Sequence, residues 1–411
     1  MQYSTSTSTP ANLSEDSIAS VGPITVSPSA LFVAFTSVAD PRRRQGVRFA
    51  LSAILALATA AILSNHLTVL AIAEWGASQH SNLLLILGFP DGVTPHQSTL
   101  QRLFGKLNPD HLSAALNSYF TPSSFSTRPR GSEGVAIDGK AQRGRLSFEH
   151  SGSPVHALSA FLHDHGIVLA QEPIDSEGKA DKTEAELTVA PALIKRIDWK
   201  GRVFTGDALF CQRNLCQQVV DAGGDYLLMV KDNQRTLHED IRLLFESASE
   251  ALPLADRREV TTIDHGHGRH YDTRQLIAST DLVGYSDWPA LTQVFRLERS
   301  WQQRGEIKQE VQYGITSLPP AVADAARLLA LKRGHWQIEN SLHYVKDVTL
   351  GEDRSLIHVG NGPSVMAMLR DLILSLLHQN GCQKIAQRLR FNSCHPECSV
   401  ALVAGIGIQN A

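Results

Sequence analysis

The sequence predicts a mixed α/β fold in which helices surround a central sheet. Two observations favour this class. Short runs of Val, Ile and Leu end in turn residues, and they alternate with segments of helical periodicity. Hydrophobic residues make up 43% and charged residues 19% of the 411-residue chain, which is typical of an ordered globular protein. This length is enough for two or three domains with their own cores.

The N-terminal part of the chain divides into a tail and a helical domain. The first 28 residues are rich in Ser, Thr and Pro, and helical patterns begin at about residue 29. We assign residues 1–38 to a disordered or loosely attached tail and residues 39–125 to a helical N-terminal domain. Basic residues between Arg42 and Lys106 fit either a module that binds DNA ends or a helical cap on the main domain.

Residues 49–63 form an apolar run that resembles a signal or membrane segment. The run is too short to span a bilayer and too far from the N-terminus for a signal peptide, so it predicts a buried helix. Five cysteines, an odd number, fit a reducing compartment better than a disulfide framework. Together with the absence of an evident targeting signal, this predicts a cytoplasmic, nucleoid-associated protein without a membrane partner.

Residues 133–234 contain strands and helices in a recognisable order. The predicted strands are 135–137, 156–162, 167–172, 202–205 and 226–230, and the predicted helices are 183–197 and 212–222. Three strands, a helix, a strand, a helix and a strand give a mixed sheet covered by helices. This order predicts the first part of a ribonuclease-H-like core.

The core is then interrupted and resumes later. Residues 235–325 predict a helix followed by a β-rich insertion, because segments such as 274–278, 293–299 and 309–315 are rich in strand-forming residues. Residues 326–380 predict the returning core, with a helix around residues 333–346 and an apolar closing helix at 364–378. Residues 381–411 are assigned to a C-terminal tail.

Three carboxylates from distant parts of the chain are candidates for one metal site. Asp138 and Asp207 each follow a short apolar strand, and Glu339 lies on the returning helix. Carboxylates that converge at strand ends repel one another unless a cation is present, and oxygen-only ligation suits Mg²⁺ or Mn²⁺. Taken separately, Asp138 could belong only to a turn and Asp207 could only cap the following helix. Their combination with Glu339 favours a site.

The helix at residues 333–346 predicts a chemical face. At 3.6 residues per turn, His335, Glu339, His343 and Lys346 lie on one side of the helix. The alternative is that this side is only a solvent-exposed stripe of charged residues. Two other tracts invite a metal interpretation. The histidines of residues 265–270 fit a flexible loop that touches phosphate better than a metal site, and residues 394–398 lack a second pair of zinc ligands.

Several stretches resemble a known family. VAIDGKAQRGR, GRVFTGDALFCQ, GGDYLLMVKDNQ and RGHWQIENSLHYVKDVTLGED are similar to motifs of insertion-sequence DDE transposases of the H-repeat-associated (Rhs-element) group. This group is related to transposases with a Tyr-Arg-Glu-Lys signature. The resemblance covers most of residues 39–380. It implies that Asp138, Asp207 and Glu339 are catalytic and bind Mg²⁺, with Mn²⁺ as a substitute and two ions in all.

The resemblance also implies DNA-binding residues. Lys346, seven residues after Glu339, corresponds to a phosphate-binding lysine, and Trp336 either supports an extruded base or packs. His335 and Lys332 stand where the broader signature has Arg and Tyr, and these are departures from that pattern. A histidine is only partly charged at neutral pH, so His335 is a weaker candidate for a phosphate contact than an arginine. The further candidates for DNA contacts are Lys140, Lys231, Arg269 and Arg274.

The function implied is cut-and-paste transposition of a DNA element. The partners are double-stranded DNA, as terminal inverted repeats and as target, and a second copy of the chain in a homodimer that bridges two ends. Two alternatives remain open. One is a two-metal nuclease on the same fold that cuts without joining. The other is a non-catalytic DNA-binding remnant, which is consistent with the net charge of −3.

Overall fold

One mixed β-sheet runs through the middle of the protein. The computed structural model describes residues 29–120, 128–141, 156–174, 182–248, 253–266, 269–303 and 305–406. Within these residues the strands are β1 (Glu133–Ala141), β2 (His156–Leu162), β3 (Ile167–Ile174), β4 (Arg202–Gly206), β5 (Asp225–Val230), β6 (Arg258–Gly266), β7 (Arg269–Ser279), β8 (Gln293–Gln303) and β9 (Glu306–Thr316). They form a nine-stranded sheet in the order β3-β2-β1-β4-β5-β9-β8-β7-β6.

The helices come from all parts of the described chain. The N-terminal helices are α1 (Ala30–Thr36), α2 (Leu51–Leu63), α3 (Val69–Ser78), α4 (Ser81–Ile86), α5 (Gln97–Phe104) and α6 (Pro109–Phe120). The remaining helices are α7 (Lys182–Lys195), α8 (Arg213–Asp221), α9 (Arg235–Ser247), α10 (Ala325–His335), α11 (Gly362–Gln379), α12 (Ile385–Cys394) and α13 (Pro396–Ala404).

The first five strands have the element order predicted from the sequence. β1, β2 and β3 pair antiparallel in succession, and β4 and β5 then extend the sheet parallel to β1. All residues of β4 and β5 are buried, as expected for strands covered by helices on both faces. β1 differs from the prediction, because its pairing with β2 continues past Ile137 to Ala141. Asp138 is therefore inside a strand and does not follow one.

The predicted β-rich insertion is part of the same sheet. β9 pairs antiparallel with β5, and β8, β7 and β6 continue outward from it. α10 then returns across the sheet and packs against β1, β4 and β7. The insertion therefore widens the central sheet, and the sheet and α10 together form the walls of an open groove.

Both predicted tails contain helices that belong to the core. Within the tail predicted over residues 1–38, residues 1–28 lie outside the described residues, but α1 is helical and buries Leu31 and Phe35. In the tail predicted over residues 381–411, α12 and α13 pack against α2. The hydroxyl of Ser29 donates to the carbonyl of Val403 at 2.9 Å, which ties the two ends together. Sequence composition missed these contacts because they join residues far apart in the chain.

The apolar run at residues 49–63 is a buried helix, as predicted. Every residue of α2 except Ser52 is buried, and the helix contacts α1, α3, α11 and α13. None of the helices in the described residues combines the length and the hydropathy needed to cross a membrane.

Candidate functional site

Asp138, Glu339 and His343 form a cluster beside β1, an interior strand of the sheet. One ligand atom from each of these three side chains lies within 4.8 Å of the others. Nδ1 of His343 is 3.5 Å from Oδ2 of Asp138 and 3.6 Å from Oε2 of Glu339. The sequence predicted that Asp138 and Glu339 converge, and the structure brings them together. It assigned no role to His343, although the four-residue spacing from Glu339 was visible.

β1 places Asp138 opposite Ser159 of β2, two residues beyond the last pairing of β1 with β4. The next residue, Gly139, lets a further carboxylate approach. A Cβ atom added at Gly139 would lie 2.2 Å from Oε1 of Glu186, a buried residue of α7. The negative charge of Glu186 also contributes to the raised pKa of Asp138. The sequence prediction missed Glu186, because nothing in the helical pattern of α7 separates it from the neighbouring acidic residues.

The two carboxyl groups of the cluster titrate as a pair. Burial, followed by the negative charge of Glu339, raises the pKa of Asp138 to about 8. The adjacent imidazole of His343 lowers the pKa of Glu339 to about 2. Near neutral pH the pair therefore holds one proton on the more buried carboxyl, Asp138, and one negative charge on Glu339. Burial lowers the pKa of His343, so its imidazole is neutral at the same pH.

Asp207 is close to this cluster in the sheet but its side chain turns away. β1 and β4 are parallel, with Ala136 beside Thr205, so Asp138 and Asp207 each lie two residues beyond this registered pair. The Asp207 carboxylate caps the short turn Ala208–Phe210 by accepting a hydrogen bond from the Leu209 N–H at 3.0 Å. The predicted convergence of three carboxylates is thus present for two of them, and Asp207 caps this short turn and not the helix predicted at residues 212–222.

The helical segment after α10 has wider turns than the sequence analysis assumed. Ile338–His343 and Val345–Thr349 form π-helical turns, and the Leu350 N–H donates to the Val345 carbonyl five residues earlier at 2.9 Å. A π turn contains more residues than an α turn, so side chains seven residues apart no longer share a face. Glu339 and His343 remain together, whereas the side chain of Lys346 points inward.

Lys346 is therefore not available to a DNA phosphate, which corrects the sequence prediction. Its side chain is only 3% exposed, and its Nζ lies 2.8 Å from Oδ1 of Asp371 and 3.4 Å from Oε1 of Glu352. Lys140 is also unavailable to a DNA phosphate, because it is buried and paired with Asp347 and Glu352. Both lysines neutralise buried carboxylates that would otherwise be costly to retain in the core.

His335 is also unsuited to the predicted phosphate contact. Burial lowers its pKa to about 3, so the ring is neutral at physiological pH. Its Nδ1 lies 3.4 Å from the hydroxyl of Thr205, which in turn is 2.8 Å from Nε2 of His163. His335 therefore belongs to a buried polar contact between α10 and the sheet, and it offers no positive charge to an anion.

A groove of about 1030 Å³ lies between α10 and strands β6–β9, and Asn340, the residue after Glu339, lines it. Trp336 lines it and is 59% exposed, so of its two predicted roles, the packing interpretation does not apply. Arg274 also lines the groove, but its guanidinium is paired with Asp264 at 2.6 Å and Asp272 at 3.0 Å. Lys231 is exposed at the end of β5. The side chain of Arg269 lies outside the described part of the structure.

The cluster has a donor set that suits a divalent cation. Two carboxylates and an imidazole nitrogen are ligand types that such ions take. Burial and then the negative charge of Glu339 raise the pKa of Asp138, and a cation would balance that charge. Among the described residues, no comparable group of three ligands forms at His265 or at Cys394. His267 lies outside the described residues.

Comparison with protein families identifies the chain. A model described as the transposase DDE domain matches residues 129–377, which include all three predicted acidic residues. The chain belongs to the DDE transposase family. A second model, described as DDE_Tnp_1-associated, matches residues 32–120. The N-terminal helices are therefore a recurrent companion of the DDE transposase domain.

Individual DDE transposase relatives are similar over almost the whole chain. "Putative transposase YncI" of Escherichia coli O157:H7 is 28% identical over 390 residues, which cover 91% of this chain and 95% of the relative. "H repeat-associated putative transposase YhhI" of Escherichia coli K12 is 25% identical over 382 residues, covering 90% and 97%. The resemblance to H-repeat-associated DDE transposases inferred from the motifs is confirmed.

One solved transposase structure shows weak similarity to this chain. The piggyBac transposase synaptic complex with hairpin DNA has a TM-score of 0.38 and 12% identity, over 94% of this chain and 83% of that chain. A superposition this loose does not transfer any contact from that complex to this DDE transposase.

Proposed function

We propose that this transposase cleaves DNA at the ends of an insertion sequence and transfers the cut ends to target DNA, with Mg²⁺ or Mn²⁺ as the required cation. The observation that carries the proposal is the convergence of Asp138, Glu339 and His343 within 4.8 Å, beside the strand end that bears Asp207. Membership of the DDE transposase family supports the same reaction class.

The proposed catalytic carboxylates are Asp138, Asp207 and Glu339. A bound divalent cation would activate the attacking water or hydroxyl, and a second one would stabilise the leaving oxygen. The protein supplies the ligands and their positions. Asp138 is fixed by β1, and Glu339 is fixed by the π-helical turn that follows α10. For Asp207 to join them, its side chain must give up the hydrogen bond from the Leu209 N–H.

The proposed scaffold is a ribonuclease-H-like core. Three antiparallel strands followed by two parallel ones support this assignment, since β1, β2 and β3 pair in succession and β4 and β5 extend the sheet beside β1. Two of the proposed carboxylates come from these neighbouring strands, because Asp138 lies in β1 past its last pair with β4 and Asp207 directly follows β4.

The proposed substrate is double-stranded DNA, bound as terminal inverted repeats and as target. The exposed Trp336 in the groove offers a flat apolar surface on which a base can stack, and Lys231 offers an exposed cation for a phosphate. Arg274 reaches the same groove, and DNA phosphate would compete with Asp264 and Asp272 for its guanidinium. Two ends must be cut and joined together, so the working form is a homodimer.

A cleavage and joining assay tests this proposal. The substrate is linear DNA that carries the terminal repeats of the element encoding the chain, incubated with Mg²⁺. We expect the wild-type chain to cut and join, and the Asp138→Asn variant to bind the ends but not cut them. Asp221→Asn is a matched control, because Asp221 is an exposed carboxylate at the end of α8.

The outcomes separate the alternatives. Cutting without any joining would indicate a two-metal nuclease, and binding of the repeats without cutting would indicate a non-catalytic remnant. Undiminished cutting by Asp138→Asn would remove the cluster from the reaction altogether.

A further inference from the structure

His343 is the best-buried member of the acidic cluster and has no assigned role. Its side chain is only 7% exposed, whereas that of Glu339 is 48% exposed. Glu339 and His343 are four residues apart in the π-helical segment, which directs both side chains toward Asp138. The imidazole therefore faces the position between the two carboxylates.

The surroundings of the ring do not explain its orientation by ordinary hydrogen bonding. Within the described residues, Nε2 of His343 is buried without a hydrogen-bond partner. Nδ1 faces Asp138 and Glu339 at 3.5 and 3.6 Å, which is long for a hydrogen bond to a carboxylate. A buried polar atom in a native structure is normally satisfied, and a cation between the two carboxylates would give Nδ1 a partner.

Coordination of a cation accounts for these distances. Two ligands of one ion do not touch each other, and their donor atoms are separated by more than a hydrogen bond. With ligand distances of about 2.0–2.2 Å, neighbouring donor atoms around one ion lie roughly 3 Å or more apart. No partner on Nε2 selects one neutral tautomer of the ring, so a tautomer with its lone pair on Nδ1 is accessible.

We propose that Nδ1 of His343 is a ligand of the divalent cation held by Asp138 and Glu339. The inference rests on the proposed function, because it concerns the same cation. It has a chemical consequence for the choice of ion. Mg²⁺ prefers oxygen ligands throughout, whereas a nitrogen ligand favours transition metals, so this position prefers Mn²⁺ to Mg²⁺.

Pulsed electron paramagnetic resonance on the Mn²⁺-loaded full chain tests the inference without measuring activity. We expect the spin-echo modulation of bound Mn²⁺ to contain a nitrogen-14 coupling from imidazole. Labelling the histidines of the wild-type chain with nitrogen-15 replaces that coupling by the nitrogen-15 pattern. In His343→Gln the nitrogen coupling disappears and Mn²⁺ affinity falls by about tenfold or more, with a smaller loss of Mg²⁺ affinity. His358→Gln, which changes an exposed histidine, leaves both unchanged.

Each failure has a distinct meaning. If Mn²⁺ binds in the wild-type chain and is lost in Asp138→Asn, but shows no histidine nitrogen, His343 is not a ligand and the proposed function stands. If the wild-type chain binds no Mn²⁺, with or without DNA, both proposals fail. If His343→Gln does not fold, His343→Asn is measured in its place, because nitrogen-15 labelling shows that a histidine binds Mn²⁺ but not which one. A nitrogen coupling that persists in a folded His343→Gln would assign the ligand to another histidine and overturn the inference.

Discussion

At the scale of single residues, burial decides what Lys346 does. Its ammonium lies between Asp371 on α11 and Glu352 in the turn after the π-helical segment. Arg370 also approaches Glu352, at 4.0 Å, and Lys140 does so at 3.6 Å, so two buried carboxylates face three buried cations. Lys346 thus connects the segment that carries Glu339 to the closing helix. Sequence spacing located the lysine correctly, but the wider π turns directed it into the core.

Replacing Lys346 tests this structural role. Lys346→Met removes one cation from the buried group, and we expect the free energy of unfolding to fall by about 3–5 kcal/mol because Asp371 loses its nearest positive partner. Thermal or denaturant unfolding measures the loss. Lys231→Gln, at an exposed position, should leave stability unchanged but weaken DNA binding and reduce its salt dependence. A stable Lys346→Met that binds DNA poorly would restore the phosphate-binding role.

The buried His163 makes the free energy of unfolding depend on pH. Burial lowers its pKa in the folded protein to about 3, from an ordinary value of 6.5. Below about pH 6.5 the unfolded chain binds a proton that the folded protein does not, so stability is lost as pH falls toward 3. The slope contributed is about 1.4 kcal/mol per pH unit for this histidine. Urea unfolding between pH 7.5 and pH 5 should show a shallower slope for His163→Gln than for the wild-type chain, and an identical slope would refute the account.

At the scale of elements, one close approach positions the helix that leads to Glu339. His163 lies between β1 and α10, and the residue that faces its ring on each of these elements is a glycine. A Cβ atom added at Gly134 would be 2.4 Å from Nδ1 of His163, and one added at Gly334 would be 2.3 Å from the same atom. The absence of side chains at these positions lets α10 pack tightly on the sheet, and the π turn with Glu339 follows directly.

The sign of the stability change in Gly334→Ala tests whether His163 leaves no room for a side chain at this position. Helix propensity alone predicts a gain of about 1 kcal/mol, since alanine is favoured over glycine in a helix interior. The contact with His163 predicts a loss of about 1–3 kcal/mol and reduced DNA cleavage, because α10 must move away from the sheet. Denaturant unfolding and the cleavage assay give the two measurements, with Ala326→Ser on the exposed face of α10 as the control. A stabilised and active variant would contradict the close-approach account.

Local patterns carried most of the element predictions, and long-range contacts explain the rest. Apolar runs that ended in turn residues predicted β4 and β5, and longer continuous apolar runs predicted α2 and α11. The extension of β1 past Asp138 depends on its pairing with β2, and the π turns depend on packing after α10. Neither has a signature in local sequence. The same holds for α12 and α13, whose apolar residues are buried against distant elements such as α2.

At the scale of the whole molecule, the fold gathers groups from distant parts of the chain. Asp138 comes from β1, Asp207 from the end of β4 and Glu339 from the segment that follows the β6–β9 insertion. The N- and C-terminal helices close the same core, for example through the buried hydrogen bond between the hydroxyls of Ser64 and Ser399 at 2.8 Å. Sequence analysis named the three acidic residues as candidates and left a capping role open for Asp207. Which role Asp207 takes, and the presence of His343 beside Asp138 and Glu339, depend on side-chain geometry.

The central claim is that these carboxylates share a cation, and anomalous diffraction from Mn²⁺-soaked crystals tests it most directly. The account predicts an anomalous peak within ligand distance of both Asp138 and Glu339, with the Asp207 side chain turned from the Leu209 N–H toward the metal. The Asp138→Asn variant should lose the peak. A wild-type map with no peak between these residues, or with Mn²⁺ bound only elsewhere, would contradict the account.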